Sequence, residues 1–285
     1  MRIHHLNCAT MCPISSRLIN GTGGWLARAK MVCHCLLIET DDGLVVVDTG
    51  IGLDDIRDPK RRLGGGFVNA VNPALDESET ALRQVERLGF KRADVRHIVL
   101  THLDVDHAGG LPDFPDAKVH VFGREHDAGM NRPSLRERER YRPTQWAHGP
   151  KWIVHPNAGE SWFGFESVRA IENVGTDVLL VPLHGHTRGH CGVAVKTGGS
   201  WLLHCGDAYF NHGEVHGDVP TCPPALRAFQ KIMAIDDATR RRNQDRVRAL
   251  VSAHGGDIEV FCAHDPNELD ALQGQSARAN SSSAA

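Results

Sequence analysis

Thr101-His102-Leu103-Asp104-Val105-Asp106-His107-Ala108-Gly109-Gly110 carries four metal-binding side chains within six positions, directly after the apolar run Val95 to Leu100. The run reads as a buried strand, so the ligands sit where a strand ends and the chain turns. His102 and Asp104 alternate as strand-end residues do, whereas Asp106 and His107 are adjacent and must be splayed by the turn that Gly109-Gly110 allows. Imidazole and carboxylate without thiolate is the donor set of a hydrolytic zinc, manganese or iron centre, not of a structural zinc knot.

The 285 residues are 41% hydrophobic and 24% charged with a net charge of −3, the composition of an ordinary soluble protein with ample material for a core. The near-neutral balance gives no electrostatic reason to expect nucleic acid as a partner. No apolar run reaches the roughly 18 residues that a membrane span needs, and Met1-Arg2-Ile3-His4-His5 lacks the apolar stretch of a signal peptide, so the expected location is the cytoplasm. The cysteines at 8, 12, 33, 35, 191, 205, 222 and 262 are scattered, and reduced, mostly buried thiols are expected.

Residues 2–7, Val32 to Thr40 and Leu44 to Asp48 read as strands, the last two joined by the turn signal Asp41-Asp42-Gly43. Residues 51–72 are rich in Gly, Pro and charge and are expected to form a long loop. Glu77 to Leu88 has the apolar spacing of a helix closed by Gly89; strands follow at 95–100 and 118–122, then a helix from about Arg124. Residues 131–166 are expected to be an irregular insertion, with alternating Arg and Glu and the rings Tyr141, Trp146, Trp152, Trp162, Phe163 and Phe165. They form either packing against the core or a substrate wall, at even weight. Strands are expected again at 178–183, 192–196, 201–205 and 258–262, with helices at 224–235 and 237–253. The low-complexity tail 273–285 is expected to be disordered.

Three more strand ends deliver ligand-type residues: His184-Gly185-His186-Thr187-Arg188-Gly189-His190, Gly206-Asp207 and His264. Four such ends converging on a sheet rim suit a two-metal site in which a carboxylate bridges the ions. With Val46-Val47-Asp48-Thr49-Gly50 and Ala263-His264-Asp265, these motifs resemble, in order and over about residues 2–270, the metallo-β-lactamase-fold hydrolases, the superfamily of glyoxalase II and the N-acyl-homoserine lactonases.

The resemblance implies an α+β fold, a four-layer αββα sandwich in a single domain spanning 1–272. It also implies two divalent ions, zinc first and Mn or Fe as alternatives. One ion falls to His102, Asp104 and His186, the other to Asp106, His107 and His264, with Asp207 bridging. His190 then orients another ligand, and Asp48 holds a metal-binding histidine through its other ring nitrogen. The implied reaction is attack by a metal-bridging hydroxide on a carbonyl, with Asp106 passing the proton and Tyr209 donating to the oxyanion, or else serving as plain core. A small molecule is the expected partner, and a homodimer is one option for assembly.

Asp104 departs from the family's usual His. Three readings are open, a direct ligand, a ligand through water, or a weakened site, and a direct ligand is expected. Its extra negative charge would make the hydroxide-bridged centre neutral, where a His would leave one unit positive, and so would favour harder ions such as Mn²⁺ or Fe²⁺. The activity expected is hydrolysis of a carboxylic ester, most of all a lactone. A glyoxalase II-like thioesterase ranks below it, because Asn267 to Ala285 offers only Arg278 to hold a glutathione carboxylate. A persulfide dioxygenase-like enzyme with a single iron ranks third, since Asp106 and His264 supply a second metal.

Overall fold

The computed structural model describes residues 1–156, 159–171 and 177–283. Residues 157–158 of the expected insertion and 284–285 of the expected tail lie outside this range. The first sheet runs in order through β1 (Arg2–Met11), β2 (Met31–Thr40), β3 (Gly43–Val47), β4 (Val95–Val99), β5 (Lys118–Phe122) and β6 (Lys151–His155). The second contains β7 (Glu160–Trp162), β8 (Phe165–Ile171), β9 (Val178–Pro182), β10 (Cys191–Thr197), β11 (Ser200–His204) and β12 (Ile258–Phe261), running in space from β12 to β7.

Alternation along the strands assigns each face. Leu36, Ile38, Val45 and Val47 of the first sheet meet Leu180, Val193, Val195 and Leu202 of the second in one buried cluster between the sheets. Their neighbours Leu37, Val46 and Ile98 point the other way, onto Leu82 and Val85 of the helix Ala81–Arg87. Val181, Leu203 and Val260 likewise pack on Val247 and Leu250 of the helix Asp237–His254. Both faces of each sheet are therefore covered, which explains why β2, β3 and β4 read as almost unbroken apolar runs. The result is the expected αββα sandwich.

Strands β3 and β4 are parallel neighbours in one sheet, and β11 and β12 in the other. Their C-terminal ends therefore open on the same rim of the sandwich, and every candidate ligand lies just beyond such an end or in the turn after β9.

Three expectations are corrected. Residues 51–72 are not an open loop but two short helices, Leu53–Arg57 and Gly65–Val71, linked by a π-helical turn at Lys60–Gly64, with Leu53, Leu63 and Val71 buried. The segment 131–166 is largely regular: it contains the helix Leu135–Arg140, β6 at the edge of the first sheet and β7 at the start of the second. Its rings Tyr141, Trp146, Trp162 and Phe165 are buried in the two outer clusters, so packing accounts for them. The helix Pro266–Ser283 runs on through the expected tail, because Leu269 and Leu272 are buried and Gln273 donates to the carbonyl of His5 at 2.8 Å. All eight cysteines are free, and six of them are buried. Among the described residues no helix is long and apolar enough to cross a membrane.

Ile98 is fully buried between sheet and helix. Ile98→Ala is expected to lower the stability measured by urea unfolding by about 2–5 kcal/mol. Leu26→Ala, at a position 91% exposed, should change it by less than about 0.5 kcal/mol.

Candidate metal centre

The turn after β4 builds the first half of the site. Asp106 and His107 lie on one helical turn, Val105–Ala108, rather than being splayed by a glycine turn. Gly109 has an ordinary helical φ; its missing side chain matters because a Cβ there would run into the Asp55 carboxylate and the Gly50 carbonyl. The glycine pair thus permits close packing against the Asp48–Gly52 segment.

Hydrogen bonds at the far side of each ring decide what faces the centre. Thr101 Oγ1 donates to Asp48 Oδ2 at 2.7 Å, so its lone pair accepts from His102 Nδ1 at 3.0 Å. His107 Nδ1 donates to Asp48 Oδ2 at 2.8 Å, and His264 Nδ1 donates to the Val32 carbonyl at 2.7 Å. With the Nδ1 protons committed outward, all three Nε2 atoms present lone pairs inward. The Nε2 atoms of His102 and His107 are buried with no hydrogen-bond partner, as is Asp207 Oδ1.

Asp207 stands between two groups of donors. Its Oδ2 lies 3.2 Å from His186 Nε2 and 3.8 Å from His102 Nε2, and Asp104 Oδ2 completes this group at 3.1 and 3.4 Å from the same two nitrogens. Its Oδ1 lies 3.1 Å from His264 Nε2 and 3.4 Å from His107 Nε2, with Asp106 Oδ2 at 3.7 Å from His264. Donors bound at about 2.0–2.2 Å around a tetrahedral ion are roughly 3.3–3.6 Å apart. The orphaned buried donors and these spacings fit two divalent ions.

The electrostatics agree. Burial alone would raise the pKa of Asp207, but His264, His107 and His186 outweigh it and hold the carboxylate well below its usual range. Burial would likewise depress His107 and His264, but the facing carboxylates, Asp207 foremost, raise both well above the ordinary histidine value. The cluster of carboxylates therefore calls for cationic charge at this place. His186 goes the other way, to about 4, through burial and then Arg140, whose Nη2 lies 2.6 Å from its Nε2, and is thereby kept as a neutral imidazole.

Arg140 was not anticipated from the sequence. It reaches from the end of the helix Leu135–Arg140 to clamp Asp104, Nε to Oδ1 at 2.5 Å and Nη2 to Oδ2 at 2.7 Å. Its Nη1 donates to the carbonyls of Met233 and His186 at 2.7 and 3.1 Å. The clamp corrects the expected charge balance: Arg140 restores the positive unit that Asp104 removes, so the preference for harder ions loses its basis. Glu125, also unanticipated and fully buried, accepts from Leu103 N, Gly189 N, Thr187 Oγ1 and Tyr141 Oη, fastening the two ligand-bearing loops together.

His190 hydrogen-bonds the backbone at Asp207, the residue it is placed to orient. Its Nδ1 donates to the Leu183 carbonyl at 2.8 Å while its Nε2 accepts from the backbone N–H of Asp207 at 2.8 Å. Tyr209 is placed elsewhere. It is fully buried in the core under the second sheet, and its hydroxyl donates to Glu268 Oε1 at 2.9 Å. Phe210 faces the centre instead, with its ring 4.7 Å from that of His264.

The donors form the floor of a cavity of about 380 Å³. Met11, Met31, Leu63, Phe67 and Phe229 make one wall, and Arg136, Glu139, Arg140 and Arg142 another. Both 51–72 and 131–166 contribute to this lining. A larger depression of about 750 Å³ lies by β12 and the last helix, away from the donors.

A family model described as the Metallo-beta-lactamase superfamily matches residues 29–254. Proteins named probable metallo-hydrolase from Mycobacterium tuberculosis and Mycobacterium bovis are each 47% identical over 267 residues, covering 94% of this chain and 81% of theirs. An N-acyl homoserine lactonase of Bacillus thuringiensis is 25% identical over 256 residues, 88% of this chain and 91% of its own. The solved structure of an N-acyl homoserine lactone hydrolase, with the product N-hexanoyl-L-homoserine at its catalytic metal centre, superposes with a TM-score of 0.68 at 20% identity over 95% of both chains.

Asp48→Asn should cost about 10–100-fold in metal affinity, read by competition with a chelator, because the His107 proton loses its charged acceptor. Tyr209→Phe should lower stability by about 1 kcal/mol, by removing one of the donors to buried Glu268, while changing kcat/KM by less than about threefold.

Proposed function

The chain belongs to the metallo-beta-lactamase superfamily, and from that membership we propose that it is a dinuclear metallo-hydrolase that cleaves a carboxylic ester, with a lactone as the favoured form. The observation that carries this reading is the pair of donor groups joined by Asp207 on the floor of a largely apolar cavity. His102, Asp104 and His186 would hold one ion and Asp106, His107 and His264 the other, with Asp207 shared. Bound there, two divalent ions, zinc first with Mn or Fe as alternatives, would supply an acidified water and polarisation of a carbonyl oxygen.

The chain's own groups do the rest. Asp48 and the Val32 carbonyl keep His107 and His264 in the tautomer that faces inward. Asp106, on the cavity floor, accepts the proton released at the nucleophile and returns it to the leaving alkoxide. Met11, Met31 and Phe67 keep bulk water from the carbonyl and receive the apolar part of the acyl group. Support for the ester over other bonds comes from the lactonase likeness along nearly the whole chain.

A panel of lactones, open-chain esters and thioesters, assayed with Zn²⁺, Mn²⁺ and Fe²⁺, tests the reading. Lactones should exceed thioesters in kcat/KM by about tenfold or more, a difference of about 1.4 kcal/mol in transition-state binding. His107→Ala should remove at least about 99% of that activity. Absence of oxoester turnover with every ion sinks the proposal.

A further inference from the structure

Arg140 is fully engaged by Asp104 and two carbonyls, but Arg142, on the same wall, is not. Its guanidinium makes no hydrogen bond or ion pair among the described residues, and its Nε is buried without a partner. Its Nη2 lies against Gly64, whose φ of +91° and lack of a side chain keep that space clear; a Cβ there would collide with the guanidinium. Other arginines of this region are paired: half-buried Arg62 with Asp55, and exposed Arg188 with Glu137. Arg142 is half-buried, and a guanidinium whose Nε is out of water without a partner is completed by a ligand that accepts from the rest of its fork.

Arg136 shares the wall, is exposed, and also has no ion pair among the described residues; partial burial and the Arg140 charge hold its pKa below the usual arginine value. Glu139 is the one acidic group on that side. The apolar wall meets Arg142 here, because Leu63 is the chain neighbour of Gly64. With Asp104, Asp106 and Asp207 balanced by the ions they fit and by Arg140, the net charge facing this end of the cavity is positive.

We propose that Arg142, assisted by Arg136, is an anion subsite, so that the substrate is an ester bearing a carboxylate at the end of a short apolar arm. A carboxylate matches the planar fork of a single guanidinium, and the arm lies along Leu63 and Phe67. The inference rests on the ester-hydrolase reading for the reacting bond, but the subsite is measurable without turnover.

The test uses the zinc-loaded protein and two uncleaved amides of equal length, adipic acid mono-anilide and hexananilide, with binding followed by calorimetry. The anionic anilide should bind at least about tenfold more tightly. Arg142→Gln should bring the ratio to within about threefold, and Arg142→Lys should keep part of it. Because the ratio is taken within each variant, a general loss of folded protein cancels. Equal binding of the two anilides overturns the proposal. So does a ratio that Arg142→Gln leaves unmoved, the result expected if the carboxylate sits on the metal ions instead. If these ratios hold while no ester is hydrolysed, the subsite stands and only the assigned reaction falls.

Discussion

The buried carboxylate of Asp48 is the point from which the centre is built. It accepts from Thr101 N at 2.8 Å, Thr101 Oγ1 at 2.7 Å and His107 Nδ1 at 2.8 Å. Burial opposes its charge, but His107 and neighbouring histidines outweigh that and keep it ionised. One side chain at the end of β3 therefore ties down the start of the ligand loop after β4 and orients two of its imidazoles, one directly and one through Thr101. The residue occupies the left-handed region, with a φ of 54°, which Asp tolerates better than most side chains. Continuation of the parallel ladder, Asp48 N to Val99 O at 3.0 Å, brings the two strand ends into register for this.

Asp104 and Arg140 act as a unit. Taking a guanidinium out of water is costly, and here a bidentate carboxylate and two backbone carbonyls satisfy it. Burial works against the Asp104 charge, but Arg140 and His102 hold its pKa well below the usual carboxylate range. The pair also fixes where Asp104 Oδ2 points, at 3.1 Å from His186 Nε2, so the shorter side chain still reaches the position a longer histidine would fill.

Most of the centre was legible in the chain because each ligand follows a strand end that its apolar run announces. The sandwich was legible for the same reason, since strands covered on both faces read as continuous hydrophobic runs. Arg140 was hidden: it sits among alternating Arg and Glu residues, a pattern that ordinarily means a solvated helix face. The signal was indirect, an aspartate where a neutral imidazole was expected, which requires a nearby cation. Tyr209 failed for a different reason. Neighbouring residues in that turn face opposite ways, so a shift of one position exchanges the core-facing ring for Phe210 at the centre. The last helix was missed because its Ser- and Ala-rich end conceals the anchors Leu269, Leu272 and Gln273 nearer its start.

The Arg140 clamp also constrains which side chains this centre can accept at position 104. A histidine at 104 beside Arg140 would strand a buried guanidinium against an imidazole and an already cationic site. An aspartate at 104 without Arg140 would leave an uncompensated carboxylate beside two others. A single replacement at either position leaves one buried charge without its partner, whereas a double replacement removes both. The two positions, 36 residues apart in sequence, are therefore energetically coupled, and the effects of replacing each do not add.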